Sequence, residues 1–244
     1  MSWLAPLSNL SRLFRKPEVV VPELAPLQQE RLDRWRALPP ADLRKPHFQS
    51  RYVVVDVESS GLHMVKDRLI SIGAVAVVNG LIEPQDAFEV ILKQDVVSDT
   101  ENILLHGIGG SAQREGMDPA DALLLFLEYI GHSPLVAYHA LFDHTMIARA
   151  MEKYLGYKFD PQWLDLAWIA PELFQDKIDG NVALDSWLNL FGIDNIQRHN
   201  AVSDCYATAK LLQVVMAEAS SRQAETPESL MEIERVRRWL RRSN

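Results

Sequence analysis

The sequence predicts an α/β fold, a mixed sheet flanked by helices. Two observations carry this. Antiparallel strand signals come first, as two apolar runs and a hairpin turn, and strand–helix units follow. The first run, Tyr52–Val57, is short, apolar and β-branched, as expected of a buried strand. Leu69–Val78 is a second strand, Asn79-Gly80 a hairpin turn, and Ala87–Leu92 a third strand. Asp118-Pro119 combines a capping aspartate with a proline in the first turn, so a helix starts there and stops at Gly131. Leu135–Tyr138 is another buried strand, and a helix follows over Phe142–Tyr154. Helical patterns then dominate over Leu164–Phe174, Ala183–Phe191 and Ala201–Ala219.

These elements outline a regular domain over residues 51–218 with an extension at each end. In residues 1–50, Trp3, Leu7, Leu10, Leu13 and Phe14 recur at helical spacing. A second amphipathic stretch runs over Leu24–Leu38. In residues 219–244 a polar linker precedes a basic helix, Pro227–Arg242. Charge divides along the same lines. Residues 1–50 carry 8 basic and 5 acidic side chains, residues 51–218 carry 11 and 24, and residues 219–244 carry 6 and 4. The net charge of −8 is therefore an acidic middle between two basic arms. A carboxylate-rich metal site would contribute to that middle, although a well-solvated acidic surface explains most of the excess equally well.

Other function classes are disfavoured early. The one cysteine, Cys205, excludes an internal disulfide and fits a reducing, cytoplasmic location. No run of 18 apolar residues suits a membrane-spanning helix, and the first residues lack the pattern of a signal peptide.

Three acidic clusters carry the chemistry. Asp56 and Glu58 end the first strand. Residues two apart face the same side, so both carboxylates converge. Two anions held together repel each other, and hard oxygen ligands suit Mg²⁺ or Mn²⁺. Taken alone, an Asp-x-Glu on a strand is more often a solvated face. Asp143 follows the strand Leu135–Tyr138 at the start of a helix, where an acid is also favoured by the helix dipole. His199 and Asp204 lie five residues apart. On one continuous helix they would diverge by roughly 140°. They share a site only if His199 precedes the helix and Asp204 lies in its first turns.

Together the three clusters resemble the DEDDh family of 3′-to-5′ exonucleases, the DnaQ-like group that includes the proofreading epsilon subunit of bacterial DNA polymerase III. The resemblance rests on Val54-Val55-Asp56-Val57-Glu58-Ser59-Ser60-Gly61-Leu62, Tyr138-His139-Ala140-Leu141-Phe142-Asp143 and His199-Asn200-Ala201-Val202-Ser203-Asp204. Intervening pieces match too: Ile70-Ser71-Ile72-Gly73-Ala74, His106-Gly107-Ile108 and Leu164-Asp165-Leu166-Ala167. A sister group has a tyrosine four residues before the last aspartate. That position here is Asn200, and the histidine five before is present. One departure is His139, where the family often has asparagine.

The resemblance implies a ribonuclease H-like mixed sheet of about five strands, and a two-metal phosphodiester hydrolase using Mg²⁺ or Mn²⁺. Asp56, Glu58 and Asp204 are expected to hold the metal that binds the attacking water. Asp56 is also expected to bridge to a second ion, held by Asp143 directly or through water. His199 is expected to accept the proton of the water. Substrate is expected over Ser59, Ser60, Gly61 and Leu62, with His63, His106 and Phe142 as further contacts, although His106 equally suits a structural role at a helix end. The expected substrate is the 3′ end of single-stranded DNA, with RNA as the alternative. A non-catalytic binding or scaffolding module is the alternative of another class, disfavoured because all four acids and the histidine are present. The extensions are expected to be accessory, packing on the domain or docking a polymerase or other protein. Arg235, Arg237, Arg238, Arg241 and Arg242 are candidates to guide phosphates.

Overall fold

A computed structural model of the chain describes residues 22–178, 180 and 182–242. The apolar series from Trp3 to Phe14 lies outside the described residues. Five strands form one sheet in the order β3-β2-β1-β4-β5. β1 (Arg51–Ser59), β2 (Leu69–Val78) and β3 (Leu81–Ile91) are antiparallel neighbours. β4 (Leu135–Ala137) and β5 (Trp163–Asp165) extend the sheet in parallel with β1. The predicted mixed sheet with flanking helices is what forms.

The alternation of β1 explains the two-layered core. Val53, Val55 and Val57 point to one face, where they meet α4 (Pro119–Ile130) and α5 (Leu141–Leu155). Tyr52 and Val54 point to the other, where they meet α6 (Leu166–Leu173) and α8 (Ala201–Ser221). Asp56 and Glu58 continue this second row, because side chains two apart share a face. The apolar row under α8 thus turns into a pair of carboxylates at the carboxyl end of the strand. The ends of β1, β4 and β5 point the same way, placing Asp56, Asp143 and Asp165 at one rim of the sheet. Such rims are where open α/β sheets bind ligands.

Helix α8 approaches this rim very closely. Gly73 of β2 is the cross-strand partner of Asp56. A Cβ built there would lie 2.6 Å from the Ala201 carbonyl carbon and 2.7 Å from the Ala201 Cβ. Small side chains on the helix match it: Ala201, Cys205 and Ala209 recur at four-residue intervals and are buried. The Cys205 thiol donates to the Gly73 carbonyl at 3.3 Å. Asn200 caps the helix by accepting the Ser203 N–H.

Both extensions pack on the domain within the described residues. α1 (Pro26–Arg36) buries Leu32 and Trp35 and lies along α4, with Arg31 paired to Glu128 and Asp121. α9 (Pro227–Arg242) buries Leu230 and lies along α6.

The structure adds elements to the sequence reading. β3 begins at Leu81, six residues before the predicted start, through Glu83, Pro84 and Gln85. It is an edge strand, so solvated residues and a proline are tolerated there. β5 occupies the start of the run read as helical from Leu164, and Asp165 then caps α6 by accepting the Ala167 N–H. Short apolar runs do not distinguish strand from helix. Two short helices, α2 (Thr100–His106) and α3 (Gly110–Arg114), lie in a stretch with no periodic signal, and α7 (Leu184–Phe191) agrees with its predicted span.

Gly73→Ala should lower unfolding stability by about 1–3 kcal/mol, the usual cost of overpacking. In a chain of this size Tm should fall by about 2–4 °C for each kcal/mol. Thermal denaturation checks this; an unchanged Tm would show that α8 can withdraw without cost.

Candidate active site

Asp56 and Glu58 reach the site from the end of β1, and Asp204 reaches it from the first turn of α8. One carboxylate oxygen from each lies within 4.8 Å of the others, and all three side chains are half-buried. Asp143, in the first turn of α5, is 5 % exposed. The backbone N–H groups of Val57, between Asp56 and Glu58, and of Asp143 itself favour its charged form.

The electrostatics follow from four anions in a confined space. Burial, then the charges of Asp143, Glu58 and Asp204, push the Asp56 carboxyl well above the usual carboxylate range. Burial, then Asp204 and Asp143, push Glu58 up to about 8. Burial pushes Asp143 up to about 8 against the opposing effect of nearby backbone N–H groups. The Cys205 thiol is raised by burial and the neighbouring acids. It is fully buried under α8, as a core residue would be.

Such a set of hard oxygen donors, costly to ionise together, fits a divalent cation. Asp56, Glu58 and Asp204 would hold it, with Asp143 beside Asp56.

His199 stands in the loop before α8, in a left-handed backbone conformation with φ 60°. Its N–H donates to Asp204 Oδ2 at 3.0 Å. The Asn195 side-chain amide donates to the other oxygen of Asp204. The loop from 195 to 199 thus grips this carboxylate from both sides, and His199 is half-buried.

The loop after β1 is held just as firmly. Ser59 is buried and donates to the Gly61 carbonyl at 2.6 Å, and Ser60 donates to Asp67 at 3.0 Å. A Cβ on Gly61 would fall 2.6 Å from Asp67 Oδ2. From α5, the Arg149 guanidinium donates to the carbonyls of Met64, Val65 and Asp67. Leu62, 85 % exposed, stands clear at the tip of this turn, and His63 is exposed next to it. Leu141 and Ile196 are exposed on the segments that carry Asp143 and Asp204.

The remaining expected contacts sit deeper. His106 is 6 % exposed, its Nδ1 accepts the Ile108 N–H, and burial lowers its pKa. Phe142 is half-buried and packs against the α4–α5 core. His139 is exposed, with φ 68°. Histidine, like asparagine, is enriched among residues that adopt such a conformation, so the backbone accommodates this departure.

Several contributors were not singled out from the sequence. Asn195 and Arg149 lie outside the motifs but contact a motif residue, Asp204, and the turn after the first motif. Asp165 appeared only as part of a matching segment. Ser71, the cross-strand neighbour of Glu58, is buried with no hydrogen-bond partner for its hydroxyl among the described residues.

A sheet ordered 3-2-1-4-5 with a cluster of carboxylates at one rim is compatible with metal binding there. The chain belongs to the RNase_T exonuclease family, whose model matches residues 53–212. It is 31% identical over 164 residues to the PolC-type DNA polymerase III of Caldanaerobacter subterraneus subsp. tengcongensis, covering 67% of this chain and 11% of that protein. The corresponding Bacillus subtilis enzyme is 31% identical over 185 residues, covering 75% of this chain and 13% of that one. The chain therefore spans little more than a tenth of the length of these relatives. Among solved structures, E. coli exonuclease I in complex with a dT13 oligonucleotide shares the fold. Its TM-score is 0.58 at 19% identity, covering 71% of this chain and 42% of that one.

The raised carboxyls predict a pH signature. A carboxyl whose folded pKa lies above its unfolded value stabilises the fold while protonated, below about pH 4. That contribution is lost as pH rises, here through about 8 for Glu58 and Asp143. The ion-free protein should therefore lose stability between pH 5 and 8. Mg²⁺ or Mn²⁺ should raise Tm more at pH 8 than at pH 5, because cations bind the deprotonated ligands. Equal metal-induced shifts at the two pH values, read by differential scanning fluorimetry in chelated and metal-loaded samples, would contradict the ligand assignment.

Proposed function

We propose that this chain is a metal-dependent 3′-to-5′ exonuclease that releases nucleoside 5′-monophosphates from single-stranded DNA ends. The observation that carries the reading is the convergence of Asp56, Glu58 and Asp204 within one cation-sized cluster, with the Asp143 charge acting on Asp56. The preference for DNA is supported by the kinship with PolC-type DNA polymerases and by a fold neighbour bound to oligo-dT. Exposed Leu62, Leu141 and Ile196 offer apolar surface to base faces.

Asp56, Glu58, Asp143 and Asp204 act as the ligands of two divalent ions. Such ions, when bound, supply Lewis acidity that lowers the pKa of a water and stabilises a leaving oxygen. The chain's own residues do the rest. Asn195 and the His199 N–H fix the orientation of Asp204. The braced Ser59–His63 turn presents backbone and Leu62 to the terminal nucleotide. His199 accepts the proton of the attacking water, the general-base role an imidazole can fill.

Digestion of matched 5′-labelled DNA and RNA oligonucleotides tests the reading. A ladder shortening from the 3′ end of DNA, abolished by chelation and restored by Mg²⁺ or Mn²⁺, is expected. Faster loss of RNA would reassign the substrate, and no digestion of either would reject the enzyme. Asp56→Asn should remove activity with the fold retained; more than a few per cent residual activity at a normal Tm would reject the shared-ligand role. His199→Ala should lower the rate by about 10²–10⁴-fold while Mn²⁺ affinity, measured by calorimetry, stays near wild type. A variant that loses metal binding as Asp204→Ala does would make His199 a structural support.

A further inference from the structure

We infer that α9, which lies beyond the residues matched by the family, is a positioning element of the active centre, acting through Arg238 and Asp165 on the segment that carries Asp143. The inference rests on the reading that Asp143 belongs to the catalytic set.

Asp165 ends β5 and is 3 % exposed. Its Oδ1 accepts two backbone N–H groups, that of Ala167 at 3.1 Å and that of His139 at 2.9 Å. The first caps α6. The second fixes the turn between β4 and α5 four residues before Asp143. That turn has a backbone conformation costly for a residue with a side chain, since His139 has φ 68°. Strained residues persist where their surroundings over-determine them. Here the His139 N–H is held by Asp165, and its carbonyl accepts the Phe142 N–H at 3.1 Å, in the first turn of the helix that carries Asp143.

The other oxygen of Asp165 accepts from Arg238 of α9 at 3.0 Å. Arg238 is itself fixed. It donates to Glu234 at 2.7 Å, and its guanidinium lies over the Trp168 ring at 4.7 Å. Glu234 closes the circuit by accepting the Asp165 N–H at 2.9 Å. The result is a connected path from α9 to the backbone of the Asp143 segment. A buried carboxylate without its cation is costly, so removing Arg238 leaves Asp165 either to protonate or to move. Either response loosens its hold on the His139 N–H. The neighbouring Arg237 is also turned inward, 8 % exposed and paired with Glu172 at 2.9 Å. Two of the five arginines expected to guide phosphates are therefore structural.

The test is Arg238→Met, which keeps the aliphatic stem over Trp168 and removes the charge. Supporting residues of metal centres typically contribute about 10–100-fold in activity or metal affinity. We expect kcat on a single-stranded DNA oligonucleotide to fall within that range with KM within about twofold of wild type. Mn²⁺ affinity should weaken in step. Amide exchange in the peptide spanning 137–144 should quicken. Arg238→Lys should recover part of kcat by restoring a charged donor to Asp165. Glu232→Gln, an exposed change on the same helix, should match wild type. Should Arg238→Met fail to fold, Asp165→Asn provides the second variant. It keeps an acceptor oxygen for the two N–H groups but loses the ion pair, and quicker exchange in 137–144 is again expected. Unchanged exchange and kcat in folded Arg238→Met would overturn the inference. So would a loss confined to KM that vanishes at low salt, which would make Arg238 a phosphate contact. Amide exchange needs no turnover, so an inactive wild type would reject the proposed function while this measurement still judged the relay.

Discussion

The close contact between α8 and the sheet at Gly73 is the constraint on which the rest of the site depends. Asp204 is carried by the first turn of α8, and Asp56 by the strand beside Gly73. With a side chain at position 73 the helix would stand off, and the two carboxylates would lie too far apart to serve one cation. The small residues Ala201, Cys205 and Ala209 are the helix's half of the same fit. Packing and chemistry are thus one arrangement: the interface that buries the second core also sets the spacing of the acids.

That arrangement conflicts with electrostatics. Burial and mutual repulsion disfavour ionisation of Asp56, Glu58 and Asp143, and among the described residues no lysine or arginine is paired with them. What balances them partly is backbone: the His199 N–H bonded to Asp204, and the N–H groups near Asp143 that favour its charged form. Neutral dipoles orient the carboxylates without occupying their charge, which leaves them receptive to cations. Arginines are used one layer out. Arg149 braces the turn after β1, and Arg238 holds Asp165.

The sheet class and its central strands were legible from sequence because each rests on local pattern, whereas Asp143 and Asp204 were singled out only through the resemblance of the three motifs together. β1 and β2 are buried on both faces and read as nearly continuous apolar runs rich in valine and isoleucine, and the Asp-x-Glu pair inherits its convergence from strand periodicity. β5 was not legible, since three residues in front of a helix carry no period of their own. The start of β3 was hidden because an edge strand has no need of apolar residues. The positions of Asn195, Arg149 and Arg238 were beyond reach for a different reason. Each acts on an element between 9 and 85 residues away in the chain, and only the fold makes them neighbours. The inward turn of Arg237 and Arg238 belongs here too: a run of arginines on an amphipathic helix reads as a basic surface until the acids that meet it are located.

The two edges of the sheet have a consequence for the molecule in solution. A strand edge offers unpaired N–H and C=O groups to any other chain, a common route to aggregation. On β3 the edge carries Pro84, which has no N–H to offer, and the Pro84 carbonyl already accepts the Tyr206 hydroxyl at 2.8 Å. On β5 the edge is only three residues long, and the Glu234 carboxylate accepts the Asp165 N–H where a sixth strand would otherwise pair. At each end of the sheet a side chain of the same molecule thus occupies a backbone group that a second copy could otherwise use.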